Sequence, residues 1–205
     1  MHHTIAGLIV AGGLSSRMGG GDKSLLELDE KPILDHIISR LQPQVHTLAL
    51  NANGKASRFA AYGLPILPDT LPDFPGPLAG VLAGLDWMET QTRHQFLATV
   101  ASDTPFLPHD LVHRLFAAKT DNPQTIILAG SNGRQHPVFA LWPAGLSGEL
   151  RNYLQAGHRK MFDFIAAKPF ITVEFAAQNG LDPFFNINTP ADLAAALPFI
   201  REDRA

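Results

Sequence analysis

The stretch Ala11-Gly12-Gly13-Leu14-Ser15-Ser16-Arg17-Met18-Gly19-Gly20-Gly21-Asp22-Lys23 follows directly on the apolar run Ile5–Val10. Five of the ten residues from Gly12 to Gly21 are glycine, with Ser15, Ser16 and Arg17 among them and Lys23 just beyond. Glycine lets the backbone take positive φ and come close to a ligand, so that successive N–H groups converge on one anion. Arg17 and Lys23 add fixed positive charge of the kind that holds a polyphosphate. A strand emptying into such a loop predicts a nucleotide-phosphate cradle; the competing reading is a plain surface loop. Two commoner phosphate loops do not fit. Asp22 separates Gly21 from Lys23, which breaks G-x-x-x-x-G-K-[ST]. Ser24 stands where the last glycine of G-x-G-x-x-G would follow Gly19 and Gly21.

Outward from this segment, short apolar runs alternate with helical patterns, the mark of a mostly parallel sheet covered by helices on both faces. Strands are expected at Ile5–Val10, Val45–Asn51, Leu64–Leu67, Phe96–Ala101, Thr125–Ala129 and Pro137–Trp142. Helices are expected at Pro32–Leu41, with proline at its first position, and at Leu78–Glu89, Pro108–Lys119 and Ala191–Leu197. The fold class is therefore α/β, a three-layer α/β/α Rossmann-like arrangement. Ligands of open α/β sheets lie beyond the C-terminal strand ends. The glycine segment, Asn51, Asp69 and Asp103 all fall on that edge. No repeat or linker interrupts the chain, and the proline-rich stretch Asp69 to Pro77 reads as a structured loop, so residues 1–205 are expected to form one domain.

The chain has 205 residues, enough for one α/β domain with a substantial core. Hydrophobic residues make up 45% and charged residues 17%, which is ordinary for a globular protein. A net charge of −3 gives no basic field for nucleic acid. No apolar run approaches the roughly 18 residues that span a bilayer, and the N-terminus lacks a signal-peptide pattern. There is no cysteine to report a redox compartment, and the expected location is the cytoplasm. His109 and His113 have the i, i+4 spacing of a zinc helix, but Asp110 replaces the required glutamate and no third ligand follows.

The run V-A-G-G-x-S-x-R-M-G-x-x-D-K, as it stands at Val10–Lys23, resembles the signature of the nucleotidyltransferases. More closely it resembles the molybdenum cofactor guanylyltransferase family. The likeness continues through Leu25–Leu28, Lys31-Pro32 and Asn51-Ala52-Asn53. It resumes at Asp69, Pro75–Gly80, Asp103-Thr104-Pro105, His136-Pro137 and Phe185–Pro190, in family order over nearly the whole chain. The resemblance implies transfer of GMP from GTP to the phosphate of molybdopterin already carrying molybdenum, with release of pyrophosphate. It also implies Mg²⁺ as cofactor, a monomer, and transient contact with molybdenum-insertion proteins and recipient molybdoenzymes. A cytidylyl- or sugar-phosphate nucleotidyltransferase of the same fold, or a non-catalytic nucleotide- or cofactor-binding chaperone, are the alternatives.

On this reading Arg17, Lys23 and Asp103 are the catalytic residues. Asp103 follows a strand, opposite the phosphate loop, and suits a magnesium ion held by one or two carboxylates plus phosphates and waters; it also suits a turn before Thr104-Pro105. The GTP contacts implied are Val10, Ala11, Gly12, Gly13, Lys23, Asn51, Asp69, Gly80 and Asp103. Asn51 at a strand end is a candidate for reading guanine; the choice of guanine over cytosine rests on the resemblance. Asp69 reads either as a nucleotide contact or as a structural turn residue. The C-terminal third is expected to bind the acceptor. Arg134 and His136 flank the turn Asn132-Gly133, and Arg159 with Lys160 could meet a pterin phosphate or form a solvated face. Asn186 and Asn188 belong to the same set, while Asn188 or Thr189 also reads as the cap of the last helix.

Overall fold

The computed structural model describes residues 5–11, 22–71, 76–177 and 179–202. Gly12, Gly13 and Arg17 lie outside the described residues, as does 72–75 of the proline-rich loop.

The described strands in chain order are β1 (Ile5–Val10), β2 (Glu27–Leu28), β3 (Lys31–Pro32), β4 (Thr47–Asn51), β5 (Ile66–Leu67), β6 (Phe96–Ala101), β7 (Ile126–Ser131), β8 (Arg134–Pro143) and β9 (Phe170–Glu174). The helices are α1 (Ile33–Leu41), α2 (Pro77–Trp87), α3 (Leu111–Ala117), α4 (Ser147–Gln155), α5 (Met161–Ala166) and α6 (Pro190–Glu202). The described residues build a seven-stranded sheet in the order β5-β4-β1-β6-β8-β7-β9. Every hydrogen-bonded pair in it is parallel except the two made by β8. The small β2–β3 hairpin stands apart.

β1 is buried along its whole length, as a central strand covered on both faces must be, which is why its sequence is apolar without alternation. Two apolar layers sandwich the sheet. On one side Ile9, Val100, Ile127 and Leu141 pack with α1, α3 and α6. On the other, Leu8, Leu97, Leu128 and Trp142 pack with α2, α4 and α5. This is the three-layer α/β/α arrangement read from the sequence. In α1, Ile33, Leu34, Ile37 and Leu41 recur on one stripe and are all fully buried. Complete burial of such side chains contributes about 1.5–3 kcal/mol each. α2 is apolar nearly all round and lies close on β1 and β4. A Cβ at Gly84 would come within 2.5 Å of Leu8 Cδ2, so the helix approaches as it does because that position carries no side chain.

Several boundaries differ from the sequence expectation. Pro32 pairs with Glu27 in extended conformation and stands at the N-cap of α1 instead of opening the helix. The helix expected at Pro108–Lys119 is confined to Leu111–Ala117. α6 runs through Pro198 to Glu202, beyond the expected end at Leu197. α2 ends at Trp87 and passes into a π turn, Met88–Thr92. The hairpin β2–β3, the helices α4 and α5 and the edge strand β9 were not foreseen. β9 is half-buried with mixed polarity, so it offers neither a continuous apolar run nor a clean alternation.

Candidate active site

β1 has β4 on one side and β6 on the other, so the strand order reverses at β1 and a crevice opens past its C-terminal end. The ladder continues a residue beyond the strands: Ala11 N–H donates to Asn51 O (2.9 Å) and Ser102 N–H to Val10 O (3.2 Å). A cavity opens at this point, lined by Val10, Ala11, Lys23, Pro77, Ala101 and Asp103 among others. Lys23, the last residue of the quoted stretch, begins a short 3₁₀ turn, Lys23–Leu25, and shares the cavity with Asp103 at the end of β6.

The C-terminal segment ties both residues in place. Lys23 Nζ donates to Asn188 Oδ1 at 3.0 Å. Ile187 N–H donates to Asp103 O at 2.8 Å. Thr104 Oγ1 donates to Asn186 Oδ1 at 2.6 Å and lies 3.3 Å from Asp103 Oδ1. Asn186 and Asn188 thus hold the two sides of the same cavity. Burial pushes the Asp103 carboxyl above the usual carboxylate range, and the Lys23 ammonium and the Thr104 hydroxyl offset part of that rise. Asn188 is not the helix cap. Thr189 Oγ1 accepts from Asp192 N–H, and Asp192 Oδ2 accepts from the N–H groups of Asn188 and Thr189, a reciprocal capping box.

Beside this cavity lies a polar cluster on β4. Asn51 Nδ2 donates to Leu67 O (3.0 Å) and to Asp69 Oδ1 (2.9 Å). Asn53 Nδ2 donates to Asp69 Oδ2 (2.7 Å), and Asp69 N–H donates back to Asn53 Oδ1 (2.9 Å). Asn51 is 0% exposed at the end of β4. Its Nδ2 is committed to Leu67 and Asp69, while its Oδ1 is a buried acceptor left without a partner among the described residues. Gly80 fits the same point: a Cβ there would lie 2.2 Å from Asn51 Oδ1 and 3.1 Å from Val10 Cγ1. The place of Gly80 in the site is thus close approach to Asn51.

On the far side, the turn Asn132-Gly133 joins β7 to β8 as the sequence suggests, with Asn132 and Gly133 both at positive φ. Ser131 Oγ donates to the Asp182 carboxylate (2.8 and 2.9 Å). With its one hydrogen so used, it accepts from His136 Nε2–H at 2.7 Å. The His136 ring packs on Phe184 at 4.6 Å between centroids. Burial lowers the His136 pKa, with Asp182 opposing, so the ring is neutral near pH 7. At Asp182 burial works upward, but bonds from Phe184 N–H and Ser131, with His136 nearby, hold the carboxyl below its usual range. Arg134 is exposed at the start of β8.

Arg159 and Lys160 lie in the exposed turn after α4. α4 runs antiparallel to α2, fixed by Ser147 to Glu89 and Arg151 to Asp86, so its C-terminal end points toward the edge that holds the cavity. Arg159 Nη1 donates to Leu154 O and His158 O, closing the end of α4. The structure therefore gives Arg159 a helix-capping task that its grouping with Lys160 does not reveal.

The MobA-like NTP transferase domain model matches residues 7–169. A curated molybdenum cofactor guanylyltransferase of Mesorhizobium japonicum is 52% identical over 96% of this chain and 96% of its own. The chain belongs to the molybdenum cofactor guanylyltransferase family. The Haemophilus influenzae protein of the same name is 40% identical over 93% of this chain and 96% of its own. Among solved structures, molybdopterin-guanine dinucleotide biosynthesis protein A of Archaeoglobus fulgidus superposes with a TM-score of 0.76. It covers 97% of this chain and 99% of its own at 20% identity, a likeness of fold. Set against this guanylyltransferase frame, sequence reasoning passed over Asn53, Arg58, Thr104, Ser131 and Asp182. Asn53 stood inside the quoted Asn51-Ala52-Asn53 motif and was within reach. Arg58, Ser131 and Asp182 carried no local signal. Among the described residues no cluster of three or more His, Cys, Asp or Glu could hold a metal, and no helix is long and apolar enough to cross a membrane.

Proposed function

We propose that this protein transfers GMP from GTP to the terminal phosphate of molybdopterin carrying molybdenum, releasing pyrophosphate. The observation that carries the reading is the pairing of Lys23 and Asp103 in one cavity at the strand switch point, each tied to the Asn186–Asn188 segment. A phosphate oxygen of the acceptor attacks the α-phosphorus of GTP. The new P–O bond forms as the bond from the α-phosphorus to the β-phosphate bridge breaks, and pyrophosphate carries away the electron pair. No side chain has to become a nucleophile, so catalysis comes from positioning and neutralisation of charge. Lys23, oriented by Asn188, meets the phosphates; Arg17 is assigned the same task from its place in the glycine-rich segment. Val10, Ala11, Gly12 and Gly13 offer backbone groups, and Asp69, braced by Asn51 and Asn53, faces the nucleoside.

Mg²⁺ suits Asp103. Of the two carboxylates that line the cavity, Asp22 is paired with Arg58, which leaves Asp103, partly buried and costly to ionise, as the donor for an ion that takes most of its ligands from phosphates and water. Bound there, Mg²⁺ would neutralise charge on the triphosphate and on the leaving pyrophosphate. Arg134, His136 and Lys160 lie on the acceptor side. Residues 1–205 act as one domain on this reading, and the cytoplasm, which supplies GTP, is its location.

The test is pyrophosphate release with Mg²⁺ and molybdenum-loaded molybdopterin, with GTP, CTP and ATP in parallel. Release with GTP alone is expected. A preference for CTP would overturn the base assignment, and no release with any of the three would overturn the transfer itself.

A further inference from the structure

The cavity contains a second carboxylate that the reaction does not explain. Asp22 lines it beside Lys23 and Asp103, so two acids face one lysine at the point where a polyanionic triphosphate must enter. Asp22 Oδ2 is paired with Arg58 Nε at 2.6 Å. Arg58 comes from the 3₁₀ helix Ala56–Tyr62, far from Asp22 in sequence. Its Nη2 also donates to the backbone carbonyl of Asn53, the residue that grips Asp69 from two sides. The guanidinium lies against Gly54: a Cβ at Gly54, where φ is +82°, would stand 3.2 Å from Arg58 Nη1. One fork of donors thus joins the exit of the glycine-rich segment to the cluster around Asp69.

We propose that Arg58 is a positioning residue for the nucleotide: it cancels the Asp22 carboxylate at the mouth of the cavity and fastens the phosphate side of the site to the Asp69 side. The inference rests on the GTP reading above. A bare Asp22 would repel the triphosphate and compete for Lys23, whereas a neutralised Asp22 leaves Lys23 to the phosphates. Because the pair is partly exposed, its influence is felt as binding and is weakened by salt. The chemical step, which belongs to Lys23 and Asp103, is left alone.

The experiment measures the dissociation constant of GTP with Mg²⁺ by calorimetry, without acceptor, and then KM and kcat with acceptor. Arg58→Met is expected to raise both the dissociation constant and the GTP KM by about tenfold, with kcat changed by no more than about twofold. Removing the uncovered charge in Arg58→Met/Asp22→Asn should recover more than half of that loss on a logarithmic scale. Arg58→Lys keeps the charge but loses the fork and should fall between Arg58→Met and wild type. Asp22→Asn alone, which removes the charge that Arg58 cancels, should bind GTP at least as tightly as wild type. It carries the test if Arg58→Met does not fold, a weaker binding then overturning the proposal. Unchanged GTP binding in Arg58→Met, a loss confined to kcat, or no recovery in the double variant would overturn the proposal. If wild type takes CTP in place of GTP, the base assignment falls, and the same comparison is read with CTP.

Discussion

The two sides of the cavity are built on different plans. On the side that the proposed function gives to the nucleotide, the groups come from the ends of neighbouring parallel strands and the turns just after them. The bonds that organise Asp69 join residues only 16 and 18 positions apart. On the side that the proposed function gives to the acceptor, β8 runs against the sheet, and a late segment returns to complete the work. Asp182 reaches back 51 positions to Ser131, and Asn186 lies 82 positions from Thr104. The first side inherits its geometry from the sheet, so it should respond to packing errors between α2 and β4. The second depends on a few polar tethers, so it should respond to charge and to pH.

The seam between them should give the largest effect. Lys23→Ala and Asp103→Asn are each expected to keep the fold and lose about 10²–10³ in turnover, as loss of one group that stabilises developing charge does. The two should part in stability. The raised Asp103 pKa means that ionisation costs free energy in the folded state, a cost fully present above the folded pKa and relieved as pH falls. Asp103→Asn removes it, so its Tm at pH 7–8 should exceed wild type, at about 2–4 °C per kcal/mol relieved. Thermal melts across pH check this, and a lower Tm at neutral pH would contradict it.

Next comes Gly80→Ala. The added methyl meets Asn51 Oδ1 at 2.2 Å, and Asn51 is held by two bonds, so the helix has to move. A cost of roughly 2 kcal/mol in denaturant unfolding is expected, with the KM for GTP raised and that for the acceptor little changed. A change confined to the acceptor would break the division between the two sides.

Asp182→Asn should have the smallest effect and the opposite pattern. The carboxyl lies below its usual range, so its contribution is present above ordinary carboxylate pH and disappears as pH falls through the folded value. The variant should be less stable near pH 7, by no more than about 1 kcal/mol because solvent screens the partly exposed carboxylate, and the gap should close in acid. Kinetically, the acceptor KM should rise more than that of GTP. A stability gap of equal size at both ends of the pH range would mean that the charge is not its source.

The same contrast governs how much the sequence reveals. β1, β4 and β6 are legible because strands covered on both faces need unbroken apolar runs, and Asp103 and Asn51 are legible because they stand where those runs end. Lys23 is legible from the glycine segment and its charge. Asn51 shows the limit: its position is readable, but its commitment to Asp69 depends on the approach of Gly80, which no local pattern states. Arg58, Ser131 and Asp182 are hidden for another reason. An arginine in a polar turn, a serine at a strand end and an aspartate before a proline are ordinary surface choices until the chain folds back on them. Pro32 and Pro198 mislead in a complementary way, since a strand pairing and a helix that tolerates one missing N–H override their usual punctuation.

The bond between Lys23 and Asn188 spans 165 positions, and that between Asp29 and Arg201 spans 172. During synthesis the chain leaves the ribosome from its N-terminus, at about 5–20 residues per second. Lys23 therefore emerges many seconds before the asparagine that orients it. A half-made chain can assemble strands and still lack a finished catalytic centre. Synthesis of the Asn186–Asn188 segment, in effect, arms the enzyme, and a chain that stops short of it holds no completed site in which to consume GTP.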